Sequence, residues 1–252
     1  MKPFFDDGRV ALYHGDFREV LPSLRERFDV CLADPPYGET SLVWDRWVAG
    51  WPGLIRPALS PAASMWCFGS LRMFAGRMPD FADWQLSHEV VWEKHNGSSF
   101  HADRFKRVHE LVAHFYPKGV RWEDVYKAPV MTHDATARTV YRKQRPPHTG
   151  HIEGGWYTSR DGGPRLMRSV IYVRSTHGEA VHPTQKPLGI LTPLIEYACP
   201  PGGLVLSPFA GSGSDLLAAR LLGRRAVGIE VNEAHCEAAA GRLAQLALPL
   251  AG

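Results

Sequence analysis

Short apolar runs alternate with amphipathic stretches along the chain, the pattern of a largely parallel sheet joined by crossover helices. Val10–Tyr13, Phe28–Ala33, Ala63–Phe68, Val90–Trp92, Leu111–Tyr116, Leu204–Leu206 and Ala226–Ile229 read as strands. Helices are expected over 18–26, 188–199, 214–222 and 233–246. The run from 204 to 229 is therefore a compact βαβ unit, placed near the C-terminal end. Residues 144–164 hold eight Gly or Pro and read as a long loop without regular structure. The chain has no internal repeat and no low-complexity tract.

Composition narrows this picture. The 252 residues are 44% hydrophobic and 22% charged, which fits one large folded domain, or one domain carrying an insertion, and argues against a disordered chain. No run of 18 apolar residues is present, so a membrane-spanning helix is not expected. Asp6 and Asp7 interrupt the first apolar residues before a signal peptide can build, and a cytoplasmic protein with no membrane partner is expected. Cys31, Cys67, Cys199 and Cys236 stand singly in mostly apolar segments, as buried thiols do, and suggest neither a metal site nor a disulfide framework.

The net charge of +3 becomes informative when it is divided along the chain. Residues 101–180 hold 14 Lys+Arg against 8 Asp+Glu, together with 7 of the 12 His, while the remainder carries a balance of −3. A basic middle in an acidic frame suits a surface that meets a polyanion, although a solvated charged face would read the same way.

Three segments carry candidate chemistry. Asp34-Pro35-Pro36-Tyr37 follows directly on the strand 28–33. Two consecutive prolines fix two φ angles and remove two N–H donors. A carboxylate, a rigid carbonyl and an aromatic ring are thereby presented at the C-terminal edge of a sheet, where ligands of α/β folds bind. Two acceptors side by side suit a planar exocyclic amine, whose lone pair is delocalised and must be directed outward to react. A strand ending in a Pro-Pro turn with an Asx cap is the plain structural alternative. The second segment, Ser207-Pro208-Phe209-Ala210-Gly211-Ser212-Gly213-Ser214, links a strand to a helix and lets backbone approach a ligand closely. The dinucleotide fingerprint fails because Leu216 stands at the third glycine position, and Glu230, 19 residues beyond Gly211, is placed to bind ribose hydroxyls. The third segment is His182-Pro183-Thr184-Gln185-Lys186-Pro187, which either caps a helix through Thr184 or adds polar groups to the same pocket.

In their order along the chain, with the tetrapeptide first, then His182–Pro187 and then the glycine turn, the three segments resemble the amino-group DNA methyltransferases that use S-adenosylmethionine, and most closely their circularly permuted β subgroup. His14-Gly15-Asp16-Phe17, Trp92-Glu93-Lys94, Val108-His109-Glu110 and Trp44-Asp45 are similar to further landmarks of that group. The resemblance implies a Rossmann-like methyltransferase fold with a mixed, mostly parallel seven-stranded sheet. It divides the chain into a catalytic domain, 1–117 with 181–252, and an inserted target-recognition region, 118–180. It implies that Asp34 and Pro35 bind the target amine, that Pro36 shapes the turn and that Tyr37 stacks on a flipped base. Phe17, Phe209, Gly211, Ser212, Gly213 and Asn232 would line the cofactor. Glu230 would take its ribose, Asp16 its adenine, and Thr184 with Lys186 its carboxylate. Many relatives carry Asp where Ser207 stands and Thr where Ser214 or Asp215 stands, so the group that holds the methionine ammonium is open, with Asp34 one choice.

Adenine N6 is the expected target, because Asp rather than Ser opens the tetrapeptide; N4 of cytosine fits the same geometry. RNA or protein methylation, and a silenced DNA-binding protein, are the remaining alternatives. Double-stranded DNA is the expected partner, contacted through Lys118, Arg121, Lys127, Arg138, Arg142, Lys143, Arg145, Arg160, Arg165 and Arg168. A homodimer and a companion restriction endonuclease would also fit the family.

Overall fold

The computed structural model describes residues 1–97, 102–142, 154–174 and 185–245. These form two compact units, the larger from Met1–Ala128 with Ser169 onward and the smaller from Pro129–Arg168. The smaller is thus narrower than the inserted region expected at 118–180, and Lys118, Arg121 and Lys127 lie in the larger one.

The chain begins with β1 (Phe5–Asp6), β2 (Val10–His14), α1 (Phe17–Val20) and β3 (Phe28–Ala33). It continues through α2 (Trp51–Ile55), β4 (Leu59–Gly69), α3 (Leu71–Arg77), β5 (Trp84–Glu93) and β6 (His109–Pro117). The smaller unit holds β7 (Met131–Thr132), β8 (Arg138–Arg142), β9 (Gly155–Ser159) and β10 (Arg165–Leu166). After it come β11 (Val170–Tyr172), α4 (Leu188–Ala198), β12 (Leu204–Ser207), α5 (Ser214–Leu221), β13 (Arg225–Glu230) and α6 (Glu233–Gln245).

All seven expected strands enter one sheet of order β1-β2-β13-β12-β3-β4-β6-β5-β11, in which β1 and β11 extend the two edges. Strands of two and three residues are too short to leave an alternation in the sequence. Pairing is parallel from β2 through β13, β12 and β3 to β4, and antiparallel at β4–β6 and β6–β5. The first helix ends earlier than expected, at Val20, because Pro22 cannot donate an N–H and the chain tightens into a 3₁₀ turn over Leu21–Ser23.

Side chains alternate between the two faces of the sheet. Cys31, Ala33, Met65, Cys67, Phe115, Leu206 and Ile229 join Phe17, Trp51, Ile55, Phe74 and Phe81 in one buried cluster, on the side covered by α1 to α3. On the other face Trp66 donates its indole N–H to the Leu194 carbonyl in α4, 3.0 Å away. Gly228 lets α5 close on β13, since a Cβ there would meet Leu216 at 2.6 Å. The four cysteines are buried and free.

Within the smaller unit, part of the Gly/Pro-rich stretch is a strand, which corrects the expected loop. β8 and β9 pair antiparallel, with Thr139 opposite Thr158 and Tyr141 opposite Trp156. The Trp156-Tyr157-Thr158 run supplies aromatic and β-branched pairs whose cross-strand packing outweighs the flanking glycines, and the Tyr141 and Trp156 rings lie 5.0 Å apart.

Candidate active site

β3 and β12 are parallel neighbours, so the Asp34 tetrapeptide and the glycine turn leave the sheet side by side. From β3 the chain crosses to β4 over one face, and from β12 it crosses to β13 through α5 on the other. That divergence opens a crevice at the carboxyl edge. The cleft, about 400 Å³ with its open mouth included, is lined by Leu32, Ala33, Asp34, Phe68, Lys186, Leu191, Phe209–Ser212, Ser214 and Asp215.

Asp34 is held from two sides. Lys186 Nζ lies 2.6 Å from Oδ2, and the Tyr37 hydroxyl donates to Oδ1 at 2.8 Å. Lys186 also approaches Glu110 Oε2 at 3.6 Å, and Glu110 is paired with Lys94 at 2.9 Å. A chain of alternating charge therefore runs Asp34, Lys186, Glu110, Lys94. Burial pulls the Lys186 pKa down, but the Asp34 and Glu110 carboxylates outweigh it and raise it above the usual lysine range. Burial favours protonated Glu110, and the two lysines overcome that and lower its pKa. Burial, then the Asp34 charge, pushes the Tyr37 phenol well up, so it stays a neutral donor. Lys186 thus contacts the carboxylate of the tetrapeptide. Glu110, which the sequence marked only as a landmark, is the residue that ties this network to β6.

Gly213, at φ +67°, turns the chain into α5. Buried Glu230, at the end of β13, accepts from Gly211 N–H at 2.8 Å and from Asn232 N–H at 2.8 Å, which fixes the turn against the next strand. Asn232 Oδ1 caps α6 by accepting from Ala234 N–H at 3.0 Å. Asp16 caps α1 and accepts from Arg18 N–H at 2.8 Å, while Gly15 N–H bonds to the Glu230 carbonyl at 2.9 Å. The Phe17 and Phe209 rings meet edge to face at 5.4 Å. Asp16, Phe17 and Glu230 thus share the sheet edge with the cleft without lining it. Thr184 lies outside the described residues.

Asp215 lines the cleft and makes no ion pair among the described residues. Burial raises its pKa to about 6, opposed by the nearby Ser207 hydroxyl and by backbone N–H groups. Ser207 Oγ is itself fully buried and has no partner at regular hydrogen-bond geometry.

The segment after Tyr37 is organised by Asp45. Its carboxylate accepts from the N–H groups of Gly38, Glu39 and Thr40 at 2.8, 3.0 and 2.7 Å. Of the basic residues expected at DNA, Arg121 is exposed but paired with Asp124, and Arg165 forms a two-point ion pair with Asp134. Lys127 Nζ donates to the Trp122 carbonyl at 2.7 Å. Lys118, Arg138, Arg160 and Arg168 are exposed. Arg142 ends β8, and Lys143 and Arg145 lie outside the described residues.

Comparison with known proteins agrees with this geometry. The type II methyltransferase M.ScaI of Streptomyces caespitosus is 25% identical over 268 residues, covering 96% of this chain and 84% of its own length. Among solved structures, M1.HpyAVI in complex with SAM has a TM-score of 0.63 at 23% identity, covering 92% of this chain and 99% of that one. The cytosine-N4-specific PvuII DNA methyltransferase has a TM-score of 0.66 at 14% identity, over 100% of this chain and 90% of that one. These structures share the fold. The sequence model of the N6/N4 DNA methylases matches residues 28–241, a span that contains both the tetrapeptide and the glycine turn, and the chain belongs to that family.

Proposed function

We propose that this DNA methylase transfers the methyl group of S-adenosylmethionine to N6 of an adenine flipped out of duplex DNA. The observation that carries the reading is the Asp34 carboxylate in the wall of the same cleft as the Phe209–Ser212 turn. The cleft suits the cofactor: apolar walls from Leu32, Phe68, Leu191 and Phe209 surround an Asp215 carboxylate that has no ion pair among the described residues, which fits a ligand with a cationic end. Phe209, Gly211 and Ser212 would hold the methionine half, with Glu230 and Asp16 toward the ribose and adenine. When bound, S-adenosylmethionine supplies a methyl group activated by its sulfonium.

The protein's part is orientation. The base leaves its stack, at a cost of about a few kcal/mol, and is read in a pocket. Asp34 and the Pro35 carbonyl accept the two amine N–H bonds and turn the nitrogen lone pair outward. Asp34 need not be a strong base, because the amine proton becomes acidic only as the new C–N bond forms. Its pairing with Lys186 and Tyr37 suits that role, since both hold the carboxylate as a fixed acceptor. Tyr37 holds Asp34 in plane and offers its ring to the base. The loop from Gly38 to Trp47, braced by Asp45, closes over the base. The exposed arginines contact phosphate, and the cytoplasm, at the nucleoid, is where such an enzyme meets its substrate.

Cytosine N4 is the second reading, favoured by the likeness to the PvuII enzyme, and Asp34 ahead of the proline pair argues for adenine. Single-base sequencing of plasmid treated with the protein and cofactor decides the matter. Modified adenines within one shared motif are expected; N4-modified cytosines would move the target base and keep the site.

A further inference from the structure

Asp34 and Asp215 both line the cleft, but their charges are handled differently. Asp34 is neutralised by Lys186 at 2.6 Å. Asp215 has no ion-pair partner among the described residues; its carboxylate accepts from the adjoining Leu216 N–H at 2.9 Å and meets the Ser207 hydroxyl. The cation that senses it, Arg242, donates instead to Ser214 Oγ at 2.7 Å and to the Ser212 carbonyl at 3.4 Å. A carboxylate left this way beside Leu32, Phe68 and Phe209 is costly unless a cation arrives with the ligand.

The second observation is Ser207. It ends β12 beneath the turn, its hydroxyl is fully buried without a regular partner, and it acts on the Asp215 carboxyl. The hydroxyl stands at the end of β12 and the acid at the start of α5, and the two groups meet.

We infer that Asp215 binds the α-ammonium of the cofactor's amino-acid end from the start of α5, within reach of position 207. The inference rests on the cofactor reading above. It makes Asp215 a binding residue and leaves Asp34, already paired, for the target amine.

Calorimetric titration tests it with three ligands: S-adenosylmethionine, S-adenosylhomocysteine, which lacks the sulfonium charge, and 5′-methylthioadenosine, which lacks the amino-acid end. Asp215→Asn is expected to weaken the first two about 10–100-fold, the range for a lost charge-assisted contact, and the third less than about twofold. The double variant Ser207→Asp/Asp215→Thr moves the acid to position 207 and is expected to recover affinity to within about fivefold of the starting protein. Unchanged affinities in Asp215→Asn would overturn the inference. So would a loss confined to S-adenosylmethionine, which would place the carboxylate at the sulfonium, or an equal loss of 5′-methylthioadenosine, which would mean general damage to the fold. A double variant no better than Asp215→Asn would overturn the placing of the ammonium within reach of both positions. Failure of the unaltered protein to bind any of the three would instead refute the cofactor reading itself.

Discussion

Two carboxylates share one cleft, and their surroundings set them to different tasks. Asp34 is fixed by Lys186 and Tyr37, and in the proposed mechanism its removal takes away an acceptor for the target amine without emptying the cofactor pocket. Asp34→Ala is expected to abolish methylation while leaving S-adenosylmethionine affinity within a few fold, as measured by activity assay beside calorimetry; an active variant would refute the assignment. Asp215, among Ser207, Cys31, Asp34 and Arg242, has its pKa raised by burial to about 6, above the unfolded value near 3.9. The folded protein then holds this proton more tightly than the unfolded chain. From this group alone, stability falls as pH rises from about 4 to 6 and stays lower above that. Asp215→Asn removes the slope and should raise the ligand-free melting temperature at pH 7.5 by a few degrees, read by calorimetry across that pH range. A residue that weakens the empty fold while binding a cation is a stability cost borne for function.

At the scale of elements, what aims the chemistry is the meeting of β3 and β12 and the loops that leave them. The loop after Tyr37 depends on one side chain: Asp45 accepts from three successive N–H groups and from the Thr40 hydroxyl at 2.7 Å. Burial pushes the Asp45 pKa up, but these donors outweigh it and hold it below the usual range, so the brace is present at neutral pH and weakens as acid protonates the carboxylate. Asp45→Ala should increase hydrogen exchange at residues 38–40 and lower kcat, with little change in global unfolding, because the loss is local. Unaltered exchange there would show that Asp45 is not the brace. The same scale explains β9. Its glycines argue against a strand, and the aromatic pair Tyr141–Trp156 decides for one.

Over the whole molecule, the proposed contact of the basic middle region with DNA has a measurable signature. Each phosphate neutralised contributes a slope of about −0.9 in log affinity against log salt. Replacing Arg138 and Arg160, both exposed in the smaller unit, by Gln should weaken DNA binding at every sequence and reduce the slope by about 1 for each residue that contacts phosphate. An unchanged slope would remove them from the interface. Arg165 and Arg121, occupied by Asp134 and Asp124, should matter less to that slope.

Periodicity was enough to find the seven main strands: the buried parallel ones are continuous apolar runs, and β5 and β6, which pair antiparallel, keep apolar stretches at Val90–Trp92 and Leu111–Tyr116. The tetrapeptide, the glycine turn and Glu230 were legible for a similar reason: prolines and glycines impose local geometry that shows in the residues themselves. The edge strands, the helices over Trp51–Ile55 and Leu71–Arg77, and β9 were not, since such short segments are stabilised by what they pack against. Charge pairing was the least legible. Lys186 is 152 positions from Asp34, and nothing in either segment says that they touch. The sequence by itself determined which groups could do the chemistry and which edge of the sheet would present them. Only the tertiary structure decided which carboxylate is neutralised and which waits for a cation, because electrostatic partnership depends on distance and burial, and neither is a property of sequence position.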